Sequence, residues 1–345
     1  MRIVFLGLSI TSSWGNGHAT NYRALTRALR KRGHDVLFLE RDVPWYAEHR
    51  DDGGAGRLYG SLDELRDGWR DDVGDADLVV VGSYVPDGVE VARWALENSR
   101  GRVAFYDIDT PVTLAKLRRG DHEYLSPDLI PRFDVYLSFS GGPLLRELEQ
   151  RWGARRAQAF YCLVDADAYT PSDVEKRWAL GYLGTYSADR QPALEQLLLG
   201  PAGALRNARF CVAGPQYPRT AEWPANVELV EHLPPPEHPS FYSAQQFTLS
   251  VTRTEMMRAG WSPSVRLFEA GACAVPVITD AWPGVDELFR PGHDILVARE
   301  AKDVVRILRE TPPDERDAIG ERLRARVLAL HTAEQRAEEL EAVAA

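Results

Sequence analysis

Short apolar runs alternating with helix-like stretches dictate most of what this chain can fold into. In the first half the runs are Arg2 to Leu8, Asp35 to Glu40, Asp77 to Ser83, Arg102 to Asp107, Asp134 to Phe139 and Gln158 to Leu163. The stretches between them, such as Asn21 to Arg32 ending at Gly33 and Gly88 to Asn98, repeat apolar residues at intervals of three and four, the period of an amphipathic helix. Runs such as Leu78-Val79-Val80-Val81 are continuous rather than alternating, so helices must cover the strand on both faces, as in a parallel sheet. A doubly wound α/β domain follows.

From Asp165 to Trp178 the rhythm lapses into a polar, proline-containing stretch suited to a connection between domains. It restarts with runs at Leu180 to Gly184, Ala208 to Ala213, Val227 to Val230, Phe247 to Val251, Val275 to Thr279 and Ile295 to Val297. Helical spacing covers Pro192 to Leu199, Pro263 to Gly271, Ala301 to Glu310 and Glu315 to Leu328, and a last polar helix starts at Ala333. We therefore expect a first domain over residues 1–168, a second over 169–330 and a terminal helix over 331–345. A chain of 345 residues gives each domain enough length to bury its own core. Two such domains in series leave a central cleft onto which the carboxyl ends of both sheets can open, which is where open α/β sheets bind ligands.

Composition narrows the partners. Hydrophobic residues at 44% and charged residues at 27% describe a globular protein. No apolar run reaches the ~20 residues needed to span a bilayer, and we expect a cytoplasmic protein without a transmembrane segment. Cys162, Cys211 and Cys273 are odd in number and set in apolar runs, which suggests core thiols rather than a disulfide framework or zinc site. The net charge of −10, with acidic residues dominating positions 42 to 77, disfavours polyanions, so no nucleic-acid partner is expected.

The stretch from Arg253 to Gly271 carries the most chemistry. It follows a buried run and opens a helix, with Ser262 suited to the N-cap and Pro263 to the first helical position. The amides of Ser264 and Val265 would then point out of a helix N-terminus with Arg253 and Arg258 nearby, an arrangement suited to a diphosphate. Glu269 lies three residues after Arg266, on the same helix face. It is placed either to accept both hydroxyls of a ribose or to form an ion pair with Arg266.

Ser262 to Ala270, followed by Pro276-Val277-Ile278-Thr279-Asp280, resembles the donor-site signature of GT-B glycosyltransferases, and most closely the CgeB-like family, which carries the name of a spore maturation protein. Phe105 to Pro111, Gly181 to Ser187 and Pro291 to Val297 carry the same resemblance, which covers most of the chain. It implies a hexosyl transfer from a nucleoside diphosphate sugar of the uridine, guanosine or thymidine type, with Glu269 on the ribose and Thr185 and Arg190 near the diphosphate. The base is expected against post-strand loops, at Gly214 and at His232-Leu233, with Ser264, Val265, Arg266, Arg253 and Arg258 completing the donor site. Related transferases carry a second Glu eight residues before the first, touching the sugar. Here that position is Trp261.

In the first domain, the loop Ser9 to His18 is rich in small residues, without the spacing of a dinucleotide fingerprint, and Glu40 ends the second run. The resemblance implies that this loop faces acceptor and donor sugar. His18 is the candidate general base, with Asp107 or Asp109 to orient it. Asp107-Ile108-Asp109 also has the spacing of a metal-binding D-x-D, yet the resemblance implies a metal-independent transfer that needs no cofactor, the leaving diphosphate being offset by protein cations and dipoles. The alternatives are a nucleotide-sugar epimerase of the same architecture and a non-catalytic nucleotide-sugar-binding or coat-assembly protein.

Overall fold

The computed structural model describes residues 1–14, 18–51, 56–218 and 222–344. It divides into two compact units, Met1–Leu163 together with Ala333–Ala345, and Val164–Thr332. The change of unit falls at Leu163, where the last apolar run ends.

The first unit is built on a parallel sheet of β1 (Arg2–Gly7), β2 (Asp35–Arg41), β3 (Arg57–Tyr59), β4 (Leu78–Gly82), β5 (Arg102–Asp107), β6 (Val135–Ser138) and β7 (Ala157–Ala159). Its order is β3-β2-β1-β4-β5-β6-β7, with β1 paired to β4 through Ile3 and Leu78 and Phe5 and Val80. Both strands are buried almost throughout, which is why they lack a polar alternation. The helix His18–Lys31 packs Tyr22, Leu25 and Leu29 inward and stops where Gly33 adopts φ 88°, a left-handed conformation that costs glycine no Cβ clash. Asn21 accepts the amide of Leu163 at 2.8 Å and so ties this helix to the far end of the unit. The final helix, Ala333–Ala344, returns to the same unit, burying Ala337, Leu340 and Val343 while Arg336 Nε donates to the Tyr161 carbonyl at 2.9 Å.

The second unit repeats the plan with β8 (Trp178–Leu183), β9 (Phe210–Ala213), β10 (Val227–Val230), β11 (Gln245–Ser250), β12 (Val277–Thr279) and β13 (Leu296–Val297), in the order β10-β9-β8-β11-β12-β13. Leu180, Tyr182, Phe210, Val212, Phe247, Leu249 and Ile278 form its core. The helical stretch after β8 runs on to Ala204 and widens to a π turn over Glu195–Leu199. Pro201 explains this: it brings no N–H and crowds the carbonyl one turn back, and a wider turn relieves both. No helix among the described residues is long and apolar enough to cross a membrane.

Candidate functional site

In each sheet the order reverses direction between two central strands, β1 and β4 in the first unit and β8 and β11 in the second. The loops leaving such a pair diverge to opposite faces and open a crevice between them. In the second unit those loops are 184–190 and 251–253, and they bring together several of the expected donor residues.

Arg190 turns back over its own loop, donating to the Thr185 carbonyl at 2.9 Å, while its Nε is buried without a hydrogen-bond partner among the described residues. Burial, and then the charges of Arg266 and Arg253, lower its pKa from the usual guanidinium value. Arg253 lies 3.7 Å from Asp189 Oδ2. Arg266 is buried, sits over the Tyr182 ring at 4.8 Å, donates from Nε to the Leu183 carbonyl and from a terminal nitrogen to Ser264 Oγ at 2.9 Å. Gly184 makes this possible, since a Cβ there would stand 2.5 Å from an Arg266 nitrogen. Gly214 approaches just as closely, at φ 142°, where a Cβ would meet the Gly184 carbonyl at 2.2 Å. The charges of Arg190, Arg253 and Arg266 repel one another here, and Asp189 offsets them only in part.

The helix beside them starts two residues later than expected. It spans Val265–Ala272 with Ser264 as N-cap, and Ser264 Oγ accepts from Arg266 instead of capping the first turn. Ser262 donates to the Gly260 carbonyl at 2.8 Å and Pro263 stays outside the helix. The delay arises because Gly260 and Trp261 take φ 69° and 44° and the Trp261 amide bonds the Pro283 carbonyl at 2.7 Å, bending the chain before it can coil. The Trp261 indole donates to Glu287 at 2.8 Å.

Glu269 is buried one turn further on and accepts from the Tyr242 hydroxyl at 3.0 Å. Among the described residues Arg266 forms no ion pair with Glu269, because it points back toward the helix start and donates to the Leu183 carbonyl and Ser264 Oγ. Arg258 is exposed in the last turn of the Thr254–Ala259 helix. His232 is exposed after β10, and the Leu233 carbonyl accepts from His238 Nε2 at 3.2 Å. Tyr182, Asp189, Tyr169, His238 and Tyr242 were not singled out from the sequence. Aromatic residues at helical or strand positions carry the same pattern as core residues, and of these five only Tyr182 falls within a stretch that carries the family resemblance.

In the first unit, Gly15, Asn16 and Gly17 lie outside the described residues. His18 opens its helix half-buried, its ring 6.0 Å from that of Phe139. Asp107 is fully buried and does not orient His18: one oxygen accepts from Tyr136, the other from Thr113 at 2.8 Å and the Asp109 amide at 3.2 Å. Burial pushes its pKa up to about 6 against the pull of those hydroxyls. Asp109 accepts from Tyr84 at 3.0 Å, and Tyr84 holds φ 64°, a strained backbone for a bulky residue. Glu40 staples the loop after β1, accepting from the Ile10 amide at 2.7 Å, the Thr11 amide at 3.0 Å and the Ser9 and Thr11 hydroxyls.

Residues 190–342 match the family described as glycosyl transferase-like. No curated protein matches the sequence. Among solved structures, the chain is similar to an alpha-glucosyltransferase in complex with UDP and a 13-mer DNA, at 14% identity and TM-score 0.76 over 100% of this chain and 99% of that one. It is also similar to a sucrose-phosphate synthase from Thermosynechococcus elongatus, at 15% identity and TM-score 0.71 over 99% and 98%. HepE of Anabaena in complex with UDP and glucose gives 14% identity and TM-score 0.71 over 99% and 98%. The chain thus has a GT-B fold of two doubly wound parallel-sheet domains and carries a glycosyl transferase-like region over residues 190–342.

Proposed function

We propose that this chain is a glycosyltransferase moving a hexosyl group from a nucleoside diphosphate sugar of the uridine, guanosine or thymidine type to an acceptor hydroxyl, with no divalent ion. The observation that carries this is the meeting of Arg190, Arg253 and Arg266 with the start of the Val265–Ala272 helix, at the crevice of the sheet whose unit holds most of the glycosyl transferase-like region. These cations and the free amides of the helix start bind the diphosphate, Glu269 holds the ribose, and the loops at Gly214 and His232-Leu233 take the base, with Arg258 at the margin. Catalysis comes from stabilising the departing diphosphate and from His18 drawing a proton from an acceptor held in line, a role in which we assign Asp109 to orient it because the hydrogen bonds of Asp107 go to Tyr136, Thr113 and the Asp109 amide.

The motifs that carry the family resemblance also support a place in the CgeB-like group. The epimerase and non-catalytic alternatives are not favoured, since the matched region and the similar structures are of transferases. The alpha-glucosyltransferase is in complex with DNA, so this fold accommodates a nucleic acid, and the case against one here rests on the net charge of −10. Cytoplasmic action is part of the proposal, in keeping with the burial of Cys162, Cys211 and Cys273 in apolar surroundings.

A thermal-shift series with UDP, GDP, dTDP and ADP in excess chelator tests the donor reading. One nucleotide at 100 times its Kd should stabilise the protein by about 2.7 kcal/mol. The matching nucleotide sugar should be turned over, and His18→Ala should lower that turnover by roughly 10²- to 10⁴-fold while keeping the nucleotide shift. A shift seen only with added magnesium or manganese, or with none of the four, contradicts the proposal.

A further inference from the structure

Val164–Thr332 opens with a turn in which Asp165 accepts the amides of Asp167 and Ala168 on its side chain, at 3.1 and 3.2 Å, and that of Tyr169 on its carbonyl at 2.9 Å. This fixes Tyr169, a buried residue whose hydroxyl lies 3.0 Å from His238 Nδ1. The other ring nitrogen of His238 is 3.2 Å from the Leu233 carbonyl. A carbonyl only accepts, so Nε2 carries the proton, and in the neutral ring Nδ1 receives the proton of Tyr169. His238 begins the His238–Ser243 helix, and one turn later, on the same face, Tyr242 donates to Glu269 at 3.0 Å. Burial and then the Glu269 charge raise the hydroxyls of both Tyr169 and Tyr242 well above their ordinary pKa, so both keep their protons.

One short helix and one turn thus join the Leu233 carbonyl, in the loop after β10, to the Glu269 carboxylate, in the helix after β11. We propose that Tyr169, His238 and Tyr242 are positioning residues that fix the spacing between the base-reading loop at Leu233 and the ribose-binding Glu269, so that base and ribose are recognised as one unit. The inference rests on the donor reading above and deepens it. Selectivity for the base then depends on two sets of hydrogen bonds, joined through the His238–Ser243 helix, that touch neither base nor phosphate.

Calorimetric titration of the full chain with UDP, GDP, dTDP, ADP and inorganic pyrophosphate separates the two ideas. His238→Phe and Tyr169→Phe should each weaken the preferred nucleotide about 3- to 10-fold, the worth of one neutral hydrogen bond, and narrow the preference over the other three. Pyrophosphate, which has neither base nor ribose, should bind as to wild type, and His238→Gln should recover most of the preference because its amide still donates to Leu233. Tyr169→Phe deletes a single hydroxyl and keeps the test open if His238→Phe does not fold. Unchanged nucleotide preference in both variants, or a parallel loss for pyrophosphate, overturns the positioning role while leaving the donor site standing. Wild type that binds pyrophosphate but none of the nucleotides overturns both.

Discussion

Asp107 illustrates how burial decides what a carboxyl group does. Its place after an apolar run, two residues before a second Asp, reads as chemistry in the sequence, yet its hydrogen bonds to Tyr136 and Thr113 make it a joint between strand and helix. With a folded-state pKa of about 6, above the unfolded value, Asp107 favours folding most at pH below about 4. That contribution declines as the pH rises through 6 and is level above it. The stability difference between wild type and Asp107→Asn, from urea unfolding across pH 3.5 to 7, should therefore shift by about 3 kcal/mol in favour of the variant over that window. A flat difference would mean that the carboxyl group is solvated. Arg266 and Glu269 show the complementary limit: their spacing was legible, but not that Arg266 would turn away toward Leu183, because side-chain direction depends on what the neighbouring strand offers.

At the scale of elements, continuous apolar runs announced the strands well, since a strand buried on both faces has no other composition open to it. The exception is β3, whose three residues Arg57–Tyr59 are too few to form a pattern. Helix starts were less legible. Ser262-Pro263 has the composition of a cap, but the left-handed Gly260 and Trp261 impose a bend that propensity does not encode. The terminal helix read as polar and independent, whereas it is fastened to the first unit by a thin apolar stripe. Arg32 pairs with Glu341 at 2.7 Å and holds its pKa down to about 2, but both side chains are partly exposed, so water screens the pair. Packing should dominate this attachment. Leu340→Ala, at a position 1% exposed, should cost about 2–5 kcal/mol in chemical denaturation, and Glu341→Gln less than about 1 kcal/mol. The reverse ranking would show that the helix is held by charge.

At the scale of the molecule, the two sheets reverse their strand order at equivalent places, and among the described residues the crevice of the second gathers Arg190, Arg253 and Arg266. The doubly wound architecture was legible because it follows from the rhythm of runs. The crevice was only partly so: Arg253, Ser264 and Arg266 stood in one motif, while Arg190, more than sixty residues earlier, came in through a family likeness. Charge is the feature on which the proposed donor site rests, and Arg190, whose Nε is buried without a hydrogen-bond partner among the described residues, is where that charge has least support from the protein itself. The most direct test is calorimetric titration of wild type and Arg190→Gln with the nucleoside diphosphate that wild type prefers, in chelator. The variant keeps an amide to reach the Thr185 carbonyl and loses the charge, so binding should weaken by about 10- to 150-fold with the fold intact, the worth of a charged hydrogen bond. Equal affinity in the folded variant would contradict the assignment of the diphosphate to this crevice.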